Sequence, residues 1–289
     1  MRARHPDYCG LSSGWKEILE AGLAVGSSQY YHGPSTSMAF DRPTQPAALL
    51  WPATQLPQSI SGEEIHVWAW SFRRDATPQA EDLRILDDRE RQRTTRFRFP
   101  ADQVRYSVCH ASMRRVLASY LDTSPELLAF GEGPGGKPEL ALEPQDRPLQ
   151  FNLSHSKSIG LLAVARNMEV GVDVEDIRPI ETGVAERFFS SAEVASLRNL
   201  HGLEWLDAFY RCWTRKEAIL KAEGVGLRIP LGAFDVSLAD ESAALLAVRP
   251  QANLTAAWQL HNLAPAEGSI GSLAVGRPAS TVRQFALLG

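Results

Sequence analysis

Residues Gly171 to Asp176 read Gly-Val-Asp-Val-Glu-Asp. Valine alternates with acid, and the side chains of a strand alternate between its two faces. The stretch is therefore expected to be a strand with Val172 and Val174 on one face and Asp173 and Glu175 on the other. Two neighbouring carboxylates taken out of water repel each other and resist ionising. A fold containing this strand must either leave its acidic face at a solvated edge or bring a cation to it. Magnesium suits such a pair, because it takes few protein carboxylates and completes its shell with phosphate oxygens and water. The hexapeptide alone is compatible with both.

The chain has 289 residues, enough for one large domain or two modest ones. Its 44% hydrophobic and 22% charged residues are ordinary for a globular protein. With 34 acidic and 30 basic residues the net charge is −4, which offers no global footprint for nucleic acid. Cys9, Cys109 and Cys212 form no CxxC pair. They fit a reducing cytosol and argue against a disulfide framework or a structural zinc site. No apolar run is long enough for a membrane span, and the N-terminus lacks an apolar signal core. A cytoplasmic protein without a membrane partner is expected.

Residues 1–62 carry Gly/Ser-rich stretches and Pro43, Pro46, Pro52 and Pro57. They are expected to form an irregular extension, partly disordered or draped on the surface, in which only Gly14 to Leu23 looks helical. Met38 offers an alternative start. Regular structure is expected from Glu64, with an aromatic strand over His66 to Phe72. Leu83 to Phe97 looks helical and carries Arg84, Arg89, Arg91, Arg93 and Arg96. Pro100 and Asp102 open a longer helix, with Arg105, Arg114 and Arg115 on it. These arginines suit a solvated face or a polyanion equally. Gly131 to Pro138 is a Gly/Pro loop ending in Lys137. It is not a Walker A loop, since no Ser or Thr follows the lysine, and it reads as a turn or as a backbone cradle for phosphate.

Leu149 to His155 is expected to be a strand ending in Ser154 and His155. Ile159 to Val164 follows as a second strand, and Val170 to Glu175 as a third, antiparallel to the second. Adjacent strand residues point in opposite directions, so Ser154-His155 is not read as a nucleophile and its base. Ser190 or Ser191 is placed as the cap of a helix bearing Glu193. Leu203 to Ala222 carries the strongest helical pattern, with Trp213, Glu217 and Lys221 near one face and Gly224 as its stop. Short strands are expected over 234–238, 244–248, 255–260 and 271–275.

Three blocks then stand together: Phe151-Asn152-Leu153-Ser154-His155-Ser156, Gly171-Val172-Asp173-Val174-Glu175, and Trp213-Thr214-Arg215-Lys216-Glu217-Ala218-Ile219-Leu220-Lys221. In this order and spacing they resemble the signature of the 4′-phosphopantetheinyl transferases, and in particular the larger, Sfp-type branch. Arg96-Phe97 with Asp102 and Arg105, Gly136-Lys137-Pro138, and Phe188-Phe189-Ser190 with Glu193 also look like that family. The resemblance covers about residues 64–278. It implies an α+β fold of two pseudo-symmetric α/β subdomains, placed at 63–169 and 170–289, after the extension at 1–62.

The resemblance also implies the chemistry. The 4′-phosphopantetheine arm of coenzyme A would pass to a serine of an apo acyl or peptidyl carrier protein, and 3′,5′-ADP would leave. Asp173, Glu175 and Glu217 resemble the magnesium ligands, with manganese as a substitute ion. Lys221 resembles the lysine that contacts the pyrophosphate. Ser154 and His155 look like phosphate contacts, Lys137 and Pro138 like the loop beside adenine and the 3′-phosphate, and Arg93 and Arg105 like further basic contacts. Glu217 or Glu193 would be the base, directly or through a water. A two-halved chain needs no second copy to build its site, so a monomer is expected. The competing readings are another magnesium-dependent nucleotide phosphotransferase or hydrolase, and a carrier-binding module that has lost catalysis. Retention of Asp173, Glu175, Glu217 and Lys221 speaks against the last.

Overall fold

The computed structural model describes residues 47–56, 59–72, 77–141, 148–181, 183–255, 257–276 and 281–287. The helix expected at Gly14 to Leu23 and the start at Met38 lie outside them. In chain order the elements are β1 (Glu64–Ser71), α1 (Ala80–Ile85), α2 (Asp88–Arg96), α3 (Pro100–Leu121), β2 (Phe130–Glu132), β3 (Pro138–Leu140), β4 (Leu149–His155), β5 (Ile159–Arg166), β6 (Val170–Asp176), α4 (Gly183–Phe188), α5 (Ser191–Leu197), α6 (Gly202–Glu223), β7 (Phe234–Val236), β8 (Leu245–Val248), β9 (Gln259–Leu263), β10 (Ser269–Val275) and β11 (Thr281–Ala286). The fold is α+β, as expected.

The alternation of the strands explains the layers. In β1, Ile65, Val67 and Ala69 enter one core while Trp68 and Trp70 enter another. The first core lies between two sheets, of order β11-β1-β5-β4 and β6-β10-β9, and takes Leu161 and Ala163 from one and Val172, Val174 and Leu273 from the other. The second core packs Trp68, Phe151, Leu153 and Leu162 against Cys109, Met113 and Leu117 of α3. A third gathers Phe209, Trp213 and Ile219 of α6 with Leu260 and Ala274 of the second sheet. The result is helix, sheet, sheet, helix, and the two outer helices each have 22 residues.

The helix expected across Leu83 to Phe97 is two helices. Asp87 interrupts it, accepting from Glu90 N while the Glu90 side chain accepts from Asp87 N, a reciprocal cap that starts α2. The arginines of α3 divide as well. Arg114 is fully buried, bonded to Glu90, Asp87 and the carbonyls of Pro125 and Leu128, and so serves the fold. Burial pushes the Glu90 carboxyl up, but the bond and charge of His110 and the charge of Arg114 outweigh it and hold the group below its ordinary range.

One strand pairing differs from expectation. β6 does not pair with β5, which is held between β1 and β4; β6 pairs antiparallel with β10 in the other sheet. Val172 and Val174 cover the apolar face of the first sheet instead of extending its edge. The edges of β4 and β6 are joined by side chains. Val172 N donates to Asn152 Oδ1 at 2.8 Å, Ser154 Oγ to Asp173 Oδ1 at 2.9 Å, and Ser156 Oγ to Asp176 Oδ1 at 2.9 Å. Residues 152, 154 and 156 share one face because a strand repeats every two residues.

Both ends of the described chain bind across the body. β11 pairs parallel with β1, so the last strand enters the first sheet and crosses the division expected at residue 169/170. Leu49 bridges Ala266, Ala53 bridges Ala286, and Trp51 is buried in the inter-sheet core. Residues 47–56 of the expected extension are thus tied to the body at Leu49, Trp51 and Ala53, while Leu50 and residues 52–55 are exposed.

Candidate active site

The seam between β4 and β6 leads to the site. Asp173 and Glu175 leave β6 on the face opposite its valines, toward α6. On that helix, Thr214, Glu217 and Lys221 recur at i, i+3 and i+7 and so share a face. Two bonds fix the facing: Thr214 Oγ1 and Ser272 Oγ of β10 lie 2.9 Å apart, and Lys221 Nζ lies 2.7 Å from Asp173 Oδ1. Lys221 Nζ also donates to Ser154 Oγ at 2.8 Å. Ser154, Asp173 and Lys221 thus form a closed ring of hydrogen bonds, and all are essentially inaccessible to water. Glu175 and Glu217 are buried beside them.

Close approach of helix and strand depends on Gly171. A Cβ there would stand 2.1 Å from Ala218 O and 2.4 Å from Ala222 N. No side chain fits, which is why a glycine precedes the acids of β6 and why Lys221 can reach Asp173.

Asp173 Oδ2 is buried and has no hydrogen-bond partner among the described residues. Among those residues, no three acids, histidines or cysteines converge as a ready-made metal cage. Asp173 and Glu175 on β6 and Glu217 on α6, expected as a ligand set, are all buried where the strand faces the helix. The ammonium of Lys221 already neutralises Asp173 through Oδ1.

Outward from this ring lies a small open cleft of about 70 Å³, lined by Arg105, His155, Ser156, Lys157, Glu175, Asp176 and Arg178. Two arginines, a lysine and a histidine surround two acids there, a balance that favours an anion and leaves acids to share a cation. Arg105 pairs with Asp102 one turn away on α3. Tyr210 OH of α6 donates to Arg178 O at 3.1 Å, which fixes the backbone beyond β6.

The profile of the 4′-phosphopantetheinyl transferase superfamily matches residues 169–274, and that of the 4′-phosphopantetheinyl transferase N-terminal region matches residues 70–167. The 4′-phosphopantetheinyl transferase HetI of Nostoc is 31% identical over 219 residues, spanning 75% of this chain and 90% of HetI. The chain belongs to the 4′-phosphopantetheinyl transferase superfamily. Sfp of Bacillus subtilis is 30% identical over 156 residues, covering 54% of this chain and 68% of Sfp. AcpT of Escherichia coli is 42% identical over 113 residues, covering 38% of this chain and 55% of AcpT. The Sfp-like type is the one expected from the three blocks.

In this transferase the residues singled out from the sequence fall into two groups. Ser154, Asp173, Glu175, Glu217 and Lys221 cluster at the seam, and His155 and Arg105 share the adjacent cleft. The others do not line that cleft. Lys137 Nζ bonds Glu169 Oε2 at 2.9 Å and the carbonyls of Val170 and Ala222, bracing its loop against β6 and the end of α6. The same loop presses on that helix end, since a Cβ on Gly135 (φ +72°) would meet Gly224 O at 1.6 Å. Pro138 lines a separate cleft of about 540 Å³ with Glu90, His110, Leu128 and Phe130. The Arg93 guanidinium stacks on Phe97.

Glu193 is used by the fold. Its Oε2 accepts from Ser190 N and its Oε1 from Val236 N, and it pairs with buried Lys216 at 2.9 Å. Lys216 lies about 100° round α6 from Glu217. Sequence reasoning passed over Lys157, Asp176, Arg178 and Ser272. Asp176 closes the acidic hexapeptide and Lys157 follows the Ser154 block, so proximity to the motifs was their one available signal.

Proposed function

We propose that this chain transfers the 4′-phosphopantetheine arm of coenzyme A to a serine hydroxyl of an apo carrier protein and releases 3′,5′-ADP. The observation that carries the reading is the buried Ser154–Asp173–Lys221 ring beside the Arg105–His155–Lys157–Arg178 cleft. Phosphoryl transfer requires positioning and neutralisation of charge more than covalent help. The cleft offers cationic side chains to a pyrophosphate, and Lys221 would add positive charge from the buried ring behind it. The serine oxygen of the carrier forms the new bond to phosphorus, the bond from that phosphorus to the oxygen of 3′,5′-ADP breaks, and the serine proton passes to Glu217, directly or through a water. Glu193, with both carboxylate oxygens engaged, is left out of this step.

Asp173, Glu175 and Glu217 would hold magnesium or manganese. The partnerless, buried Asp173 Oδ2 and the acid pair beside a cationic cleft fit an ion that draws its remaining ligands from phosphate. Bound there, the ion supplies charge neutralisation to the pyrophosphate. Ser154 comes from the half at 63–169 and Asp173 and Lys221 from the half at 170–289, so one chain suffices for the site.

Carriers of fatty acid, polyketide and nonribosomal peptide synthesis all present the required serine. Incubation with coenzyme A, magnesium and a panel of such apo carriers, read by intact mass, tests the reading. A gain of one phosphopantetheine arm on at least one carrier supports it. Nucleotide release without any carrier present would point instead to a hydrolase or another phosphotransferase.

A further inference from the structure

We propose that Asp176 is a positioning residue for the anionic co-substrate: it latches the turn carrying His155 and Lys157 onto the strand carrying Asp173 and Glu175. This rests on the reading of the cleft as a coenzyme A phosphate site.

The latch is made of three bonds. Asp176 Oδ1 accepts from Ser156 Oγ at 2.9 Å and from Ser158 Oγ, and Oδ2 accepts from Lys157 N at 3.1 Å. Ser156 Oγ accepts in turn from Ser158 N at 3.3 Å and Ile159 N at 3.1 Å, so the carboxylate organises the whole β4–β5 turn. β4 and β6 belong to different sheets and share no backbone ladder. Asp176 is the outermost of three side-chain ties along their seam, after Asn152–Val172 and Ser154–Asp173, and it stands at the mouth of the cleft. Beyond Ser154, Asp176 supplies three hydrogen bonds from β6 to this turn.

Electrostatics sharpen the point. A carboxylate lining an anion site opposes the anion, so charge alone gives Asp176 the wrong sign for a binding role. Its contribution must be geometric. The two possibilities predict opposite effects: loss of charge would tighten coenzyme A binding, and loss of the latch would weaken it.

The test compares the full chain with Asp176→Ala, Asp176→Asn and Ser156→Ala. The Kd for coenzyme A is measured by calorimetry, and KM and kcat are measured in the transfer assay. Asp176→Ala should raise Kd and KM about tenfold, the order expected for losing a net hydrogen bond's worth of placement, with a smaller effect on kcat at saturation. Asp176→Asn keeps an acceptor for both serines and should lie nearer to wild type. Ser156→Ala keeps the charge and breaks the tie, so it should weaken binding too, and it serves if Asp176→Ala does not fold. Unchanged or tighter binding in Asp176→Ala, or a lowered Tm with unchanged Kd, overturns the proposal. If the wild type binds coenzyme A but loads no carrier, the transferase reading falls while the Kd comparison still judges Asp176. If the wild type binds no coenzyme A, both fall.

Discussion

Lys221 Nζ lies 2.7 Å from Asp173 Oδ1, and neither side chain is more than 1% exposed. Breaking a buried pair by removing one partner leaves an uncompensated charge, whereas removing both is far less costly. Lys221→Met should therefore lower stability by about 3–5 kcal/mol. The double variant Asp173→Asn/Lys221→Met should recover much of that loss. Carrier loading should remain at least about a hundredfold below wild type in both, because the charge directed at the transferring group is gone. Denaturant unfolding and the transfer assay, run on the same three proteins, separate the two effects.

Glu193 and Glu217 should behave as opposites. Glu193→Gln removes the partner of buried Lys216 and disturbs the cap of α5, so stability should fall by about 3 kcal/mol while the folded fraction keeps its kcat. Glu217→Gln should reduce kcat by about a hundredfold or more at equal folded fraction. A kcat loss confined to the Glu193 variant would move the base to that residue.

Gly171→Ala tests the approach of α6 to β6. The added methyl meets the helix backbone at Ala218 and Ala222, so it cannot be absorbed by a side-chain rotation. Overpacking of this kind costs about 1–3 kcal/mol. The larger effect should be on loading, because helix displacement separates Lys221 from Asp173. A variant with lowered Tm but normal loading would show that this spacing is not critical.

His66 and His261 are both shifted below the ordinary 6.5 by burial. Trp68 Nε1 donates to Tyr120 OH, and that hydroxyl lies 2.7 Å from His66 Nδ1, an arrangement satisfied by a neutral ring that accepts. The folded state thus favours the neutral imidazoles, while the unfolded chain takes up protons near pH 6.5. Their contribution to stability is complete above that pH and is lost as pH falls toward the folded-state values. Tm measured from about pH 8 to about pH 5 should be flat and then fall, and the fall should be shallower in the His66→Gln/His261→Gln variant.

Local pattern made much of this architecture legible. Alternation located β1 and β6, and β4 and β5 were also read as strands; Ser190 with Glu193 marked the start of α5, and Gly224 the end of α6. Pairing was less accessible. β6 follows β5 after a short turn at Asn167, which suggests a hairpin, yet its valines gain more by covering the first sheet than by lengthening it. β11 was missed because a strand pairing parallel with β1 from the far end of the chain leaves no local trace. At the site, residue chemistry was legible and allegiance was not. Lys137 and Glu193 carry the charges a phosphate site or a base would need, and in this structure each is also paired within the fold, a contact no local pattern announces.

In the proposed function, the buried ring at Asp173 belongs to a transfer site that acts through a divalent ion. Its most direct test is the intact mass of an apo carrier protein after incubation with coenzyme A, for wild type and Asp173→Ala, with magnesium and with chelator. The carrier should gain one phosphopantetheine arm with the wild type and magnesium and none in the other three reactions. Full loading by Asp173→Ala, or by the wild type in chelator, would contradict it.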